Sequence, residues 1–263
     1  MTAAARQLWQ HYGFALAYLG LFLAAELTYV LLDPAAQARV IAWASTDVAN
    51  LEHEPAGPLL LSALVTPGSF AAWPVLFGLA VFGANRALGN AVTALVCLAG
   101  HVIGTLVSEG VVAYRIDGGQ LPAADRYLTD VGPSYVVVTA AVIALACGGW
   151  LARALAAVGL AVLVFPGHIF GGLSQLDLAA VGHLTAVLTA AAAAAIILAL
   201  RHRRDSRQRR DSRQRRDPGR RRDPGRRRDP GQPRDTGSSG RVADGRADQV
   251  GDPGGAGAQD QLA

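Results

Sequence analysis

Long apolar runs separated by short polar joints fill the chain as far as residue 200, and beyond that point none occurs. A helix that crosses a bilayer needs about 20 mostly apolar residues, because the hydrocarbon layer is roughly 30 Å deep and each residue rises about 1.5 Å. Six runs meet that length, over residues 14–32, 59–82, 88–113, 131–149, 154–170 and 176–200. The pattern predicts an all-α, polytopic membrane protein of six transmembrane helices. Pro67-Gly68 and Pro74 interrupt the second run, which is expected to bend or break there, with neighbouring groups satisfying the freed backbone. The triplet Ala36-Gln37-Ala38 imitates a signal-peptidase site, but a secretory apolar core runs about 7–15 residues and the first run is longer. It is therefore read as a membrane anchor.

Charge divides the chain at the same place. Residues 1–200 hold six arginines against ten acids, net −4, whereas residues 201–263 hold eighteen arginines against ten aspartates, net +8, with no aromatic residue. The first part is expected to be the membrane domain and the second a disordered cytoplasmic tail. From Arg203 the tail repeats a six-residue unit (RRDSRQ twice, RRDPGR twice, RRDPGQ), in which proline, glycine and dense charge oppose a packed core. The first expectation for the repeat is that it stays solvated; an anionic lipid surface is the partner its arginines could attract, diluted by the interleaved aspartates. Nucleic-acid binding is disfavoured, since no aromatic side chain is present to stack on bases. Arginine is retained on the cytoplasmic side, so the tail predicts an inner C-terminus, and six crossings return the N-terminus to the same side. All 24 basic residues are arginine, in a chain rich in alanine and glycine. This points to a G+C-rich bacterial gene and to the bacterial cell membrane.

Ionisable groups inside membrane spans are costly and mark either function or internal pairing. Here they are Glu26, His101, Glu109 and His183. His101, Thr105 and Glu109 recur every fourth residue and form one polar face of the third span, with Gly100 and Gly104 beside it to admit another helix. Ser134 falls at the start of the fourth span and His183 one or two turns into the sixth, which places both at one depth. A serine needs an adjacent base to become a nucleophile, and imidazole is the usual one. The plainer alternative is a helix-starting serine and a histidine hydrogen-bonded to a neighbouring helix. Cys97 and Cys147 form no spacing motif with each other or with histidine, so neither a disulfide nor a metal site is expected. Haem ligation by His101 and His183 is disfavoured by their different depths, and no cofactor is expected.

The runs GPSY at 132–135, GHLTA at 182–186 and NRALG at 85–89 resemble, in order and position, the G-x-S-G, A-H-x-x-G and E-x-x-x-G signatures of rhomboid intramembrane serine proteases. The resemblance covers about residues 12–200. The stretches from Ser45 and from Ala99 look more specifically like divergent bacterial rhomboid-like membrane proteins. It implies a rhomboid-like six-helix fold, Ser134 as nucleophile and His183 as base, acting without metal or cofactor on transmembrane segments of other membrane proteins. The alternative it leaves open is an inactive rhomboid-fold protein that binds such helices. Tyr135 and Ala186 stand where the family has glycine, and Asn85 where it has glutamate. The family's oxyanion-binding histidine and asparagine fall on Ser69 and Trp73, leaving Ser69 as the candidate oxyanion donor, with Thr66 or a backbone amide near Pro67-Gly68 as substitutes.

Overall fold

Short polar residues set where the helices begin. Thr2 caps α1 (Ala3–Val30), accepting from the Ala5 amide at 3.3 Å. Asp33 caps α2 (Pro34–Ala44), whose opening proline lacks only an amide that would have had no helical partner. Asp47 caps α3 (Val48–His53), and α4 (Ala56–Leu61) runs into a 3-10 turn at Ser62–Leu64. Then follow α5 (Trp73–Leu88), α6 (Asn90–Asp117), α7 (Ser134–Cys147), α8 (Trp150–Val164) and α9 (Leu178–Arg216). The computed structural model describes residues 2–68 and 71–216, and among them every α-helix or 3-10 element is the only regular structure.

Six of these helices are apolar along most of their length. Three are long enough to cross a membrane by themselves: α1, α6 and α9 as far as Arg210. The other three, α5, α7 and α8, have 14 to 16 residues. α7 is apolar on every side and sits at the centre, with Val137, Val138, Ala140, Ala141 and Ala144 fully buried. Small residues let α5 lie against it through Ala80 and Ala84, and Phe22 of α1 meets Phe77 of α5 with ring centroids 5.3 Å apart. Outward faces carry exposed Leu21, Leu27, Leu95, Val158 and Leu188, the surface expected where the solvent is lipid rather than water.

The helices depart from the apolar runs where proline and charge dictate. The expected second span is broken, as its Pro67-Gly68 implied: α4 and the 3-10 turn end at Leu64, and the longer apolar helix of that run is α5. Pro74 does not bend that helix, because it falls in the first turn, where its missing amide has no partner to lose. α8 stops at Val164, short of the expected residue 170, just before Phe165-Pro166-Gly167. At the other extreme α9 does not end at residue 200 but continues to Arg216, through the first two RRDSRQ units. Those units contain no proline or glycine, arginine and glutamine are good helix formers, and Asp205 stands four residues before Arg209. The first proline of the repeat is Pro218. Residues 2–213 belong to one compact unit, and the expectation of disorder concerns, for residues 217–263, positions outside those described.

Candidate active site

The chain reverses tightly before α7. Gly132 has φ +132°, a conformation closed to side-chain-bearing residues, and its amide donates to the Ser62 carbonyl at 2.7 Å. That bond fixes the start of α7, and with it Ser134, against the 3-10 turn. His101 on α6 holds the same turn from the other side. Its Nε2 lies 3.0 Å from the Leu59 carbonyl and 3.2 Å from Ser62 Oγ, so Nε2–H donates to the carbonyl. The whole expected polar face of α6 is buried: His101, Thr105 and Glu109 are each 3% exposed or less, and Ser108 is buried beside them.

Tyr135, the residue after Ser134, is the centre of the site. Its ring stands edge-on to His183 with centroids 4.9 Å apart, and 6.1 Å from the ring of His101. Two glycines make the space. A Cβ on Gly182 would fall inside the Tyr135 hydroxyl, and one on Gly104 would lie 3.1 Å from the Gly182 carbonyl and 3.5 Å from the tyrosine ring. The phenol donates to Asp130 Oδ2 at 3.2 Å. Asp130 is strapped to the loop before α3: its amide donates to Ser45 Oγ at 3.1 Å, and its carbonyl accepts from the Thr46 amide and hydroxyl, both at 3.0 Å. Burial pushes the Asp130 carboxyl up to about 6, against the lowering effect of its bonds to Tyr135 and Thr46.

His183 lies five residues into α9, about 7 Å below its start at 1.5 Å per residue. It is 5% exposed, its ring lies against the backbones of Ala179 and Ile169, and among the described residues it bonds no side chain of another helix. Ser134 is half-buried at the first position of α7, and no hydrogen bond joins it to His183 among the described residues. Glu109 lies against the Val48 backbone, within electrostatic reach of Asp130 and Asp47, and bonds no side chain among the described residues. A cavity of about 590 Å³ opens beside this group, between the end of α6, residues 121–130 and the turn before α9. Asp125, Asp130 and Asp177 face it, and Arg115 closes one side by donating to the Gln175 and Leu176 carbonyls.

Of the expected oxyanion donors, Ser69 lies outside the described residues. Thr66 is fully engaged: its amide donates to Glu26 Oε1 at 2.5 Å and its hydroxyl to the same oxygen at 3.0 Å. Glu26, completely buried on α1, thus serves to hold the broken segment rather than to react. Asn85 is a clamp. Its Oδ1 accepts from the Ala15 amide at 2.8 Å and its Nδ2 donates to Asn90 Oδ1 at 2.8 Å, tying the α5–α6 corner to α1. Among the described residues no cluster of three or more histidine, cysteine or acidic side chains is arranged to hold a metal ion.

Serine and histidine at the same end of a helical membrane domain, on a broken second span and a clamped α5–α6 corner, agree with one finding. The family model described as rhomboid-like protein matches residues 13–203. The chain belongs to the rhomboid-like family. No curated protein and no solved structure matches it. The matched region of this rhomboid-like protein runs from within α1 to the first part of α9, and so contains every residue of the site. Reading the sequence for nucleophile and base missed the group between them. The signal was present in the single run Asp130 to Tyr135, where acid, turn glycine, serine and phenol follow one another, and in Gly182 directly before His183.

Proposed function

We propose that this rhomboid-like protein is an intramembrane serine protease that cleaves transmembrane segments of other membrane proteins near the Ser134 end of the bundle. The observation that carries the reading is His183: an imidazole buried near the start of α9 and in ring contact with the residue that follows Ser134. Titratable groups buried beside a hydroxyl nucleophile concentrate where chemistry needs them. In the reaction His183 takes the proton of the Ser134 hydroxyl as its oxygen adds to the scissile carbonyl. The imidazolium then gives that proton to the departing amine, and water, activated by the same histidine, releases the acyl group from Ser134. The Ser134–His183 bond forms when substrate closes the site, as catalytic hydrogen bonds commonly do. The 590 Å³ cavity beside Asp130 supplies the water-accessible side. Ser69 serves as oxyanion donor, since Thr66 is committed to Glu26; loss of one such donor typically costs about 2.7–4 kcal/mol of transition-state stabilisation.

A second reading is a non-catalytic member that binds transmembrane helices. It is favoured by the packing of Tyr135 into the Gly104–Gly182 socket and by its bond to Asp130, which fix the neighbour of Ser134 in place. A serine-directed fluorophosphonate separates the two. The protease reading expects labelling at Ser134 that disappears in Ser134→Ala and in His183→Ala, and weakens in part in Ser69→Ala. A folded protein that takes up no probe supports the helix-binding reading, and labelling that survives His183→Ala removes the dyad. The wider setting proposed is a bacterial cell membrane crossed six times with both termini in the cytoplasm. It rests on six apolar helices and the arginine-rich C-terminus.

A further inference from the structure

At the end of the bundle opposite Ser134, α1, α5 and α8 leave an apolar groove of about 360 Å³ between them. The volume falls within the roughly 300–1,000 Å³ typical of ligand sites. Glycine creates it. No atom lies within 4 Å of where a Cβ on Gly78 would stand, nor of one on Gly149, so the floor is open at both places. Phe82 and Leu155 form apolar walls, and Tyr12 and Trp150 stand at the rim, Trp150 at 81% exposure. Tyrosine and tryptophan are the residues that collect at the level of lipid headgroups.

One charged side chain lines this groove: Arg86, in the last turn of α5. Two neighbouring arginines at this end have backbone partners. Arg153 donates to the Ala146 carbonyl at 3.4 Å, and Arg201 to the Ala87 carbonyl at 2.7 Å. Arg86 is exposed and, among the described residues, makes no hydrogen bond or ion pair. A free guanidinium at the mouth of an apolar slot, beside two interfacial aromatics, matches a phosphate joined to a hydrocarbon chain.

We propose that this groove binds one anionic glycerophospholipid, its phosphate on Arg86 and an acyl chain lying along Gly78 and Phe82. The site is separate from the Ser134–His183 group and does not depend on catalysis. A lipid held there would fill the space between α5 and α8, two of the three short helices, and fix the level at which they sit in the bilayer.

Native mass spectrometry of the full chain, purified and delipidated in detergent, tests this by titration with phosphatidylglycerol or phosphatidylcholine. The first phosphatidylglycerol should bind about fivefold more tightly than phosphatidylcholine, the ratio equivalent to about 1 kcal/mol for one arginine at an anionic lipid. Arg86→Gln should remove that preference and leave phosphatidylcholine binding as it was, whereas Arg153→Gln should preserve it. Gly78→Leu should weaken both lipids by filling the groove. If that variant fails to yield folded protein, Leu151→Trp, at an exposed position on α8 that lines the same groove, takes its place. The proposal is overturned if the parent does not discriminate between the lipids, or if Arg153→Gln costs as much as Arg86→Gln, which is general charge attraction. Unchanged phosphatidylglycerol affinity in the groove-filling variant overturns it as well.

Discussion

Tyr135 illustrates how one side chain can decide the geometry of two others. A phenol in place of a small residue would be expected to hold α7 away from α9, yet Gly104 and Gly182 open a socket for the ring and leave it in edge contact with His183. The socket has almost no slack. Adding a methyl at Gly182 collides with the phenol, and overpacking of this kind costs about 1–3 kcal/mol. Gly182→Ala should therefore lower the midpoint of thermal unfolding in detergent, and pairing it with Tyr135→Leu should recover most of the loss. An unchanged midpoint in the single variant would mean that the helices slide apart freely and the socket does not position His183. Asp130 gives a second residue-scale test, through pH. Its folded carboxyl titrates near 6, above the ordinary 3.8, because burial disfavours the ionised form. A raised carboxyl contributes stability that is fully present below the unfolded value and is lost as pH rises through about 6. Acidification from pH 7 to pH 5 should then stabilise the parent by on the order of 1–2 kcal/mol more than Asp130→Asn, after discounting for the carboxyl's partial exposure. Glu109 and Asp47 lie close to Asp130, so the difference between the parent and variant curves is the quantity to measure.

Elements were legible from the sequence to the extent that one local rule governed them. Five of the six apolar runs each correspond to one helix and the second divides between α4 and α5, since apolar runs in lipid must satisfy their backbone internally. The break at Pro67-Gly68 was readable from those two residues, and Ser134 at the head of α7 from the start of the fourth apolar run. What could not be read were outcomes set by partners distant in the chain. Nothing local reveals that Thr66 is occupied by Glu26, forty residues earlier, or that the Ser45–Thr46 loop straps Asp130. The continuation of α9 was hidden differently: dense charge suggested a solvated coil, but helix propensity without proline or glycine prevailed as far as Arg216. The Glu26–Thr66 link makes an element-scale prediction. Glu26→Leu strands the buried Thr66 amide, which costs about 1–3 kcal/mol, and frees the segment between the 3-10 turn and α5. Limited proteolysis should then cut near residues 65–72 in the variant and not in the parent. Equal resistance in both would show that the segment is held by something other than this carboxylate.

Across the whole molecule, charge separates the two ends of the bundle more sharply than the sequence alone conveys. Arg86, Arg153 and Arg201 share the end where α5 and α7 finish and α8 begins. The Ser134 end has Asp33, Asp47, Asp125, Asp130 and Asp177, and two of its arginines are tied down: Arg126 pairs with Glu52, and Arg115 donates to two carbonyls. Membrane insertion retains arginines near the ends of spans on the cytoplasmic side. By that rule Arg86 and Arg153 at the α5–α6 and α7–α8 corners, with the eighteen arginines after residue 200, favour an orientation with the Ser134 end outside, against Arg39, Arg115 and Arg126 at that end. The corner arginines are expected to suffice without the repeats. Truncation after Arg201, which retains the bond to Ala87, should accordingly leave a discrete, folded species of unchanged topology. A phosphatase active only outside the cell should stay silent when fused after Ala263 or after Arg201, and become active when inserted between residues 117 and 123. Activity of the Arg201 fusion alone would mean that the repeats, not the corner arginines, set the orientation. Activity of the Ala263 fusion would place Ser134 on the cytoplasmic side and move the proposed site of cleavage to the other face of the membrane.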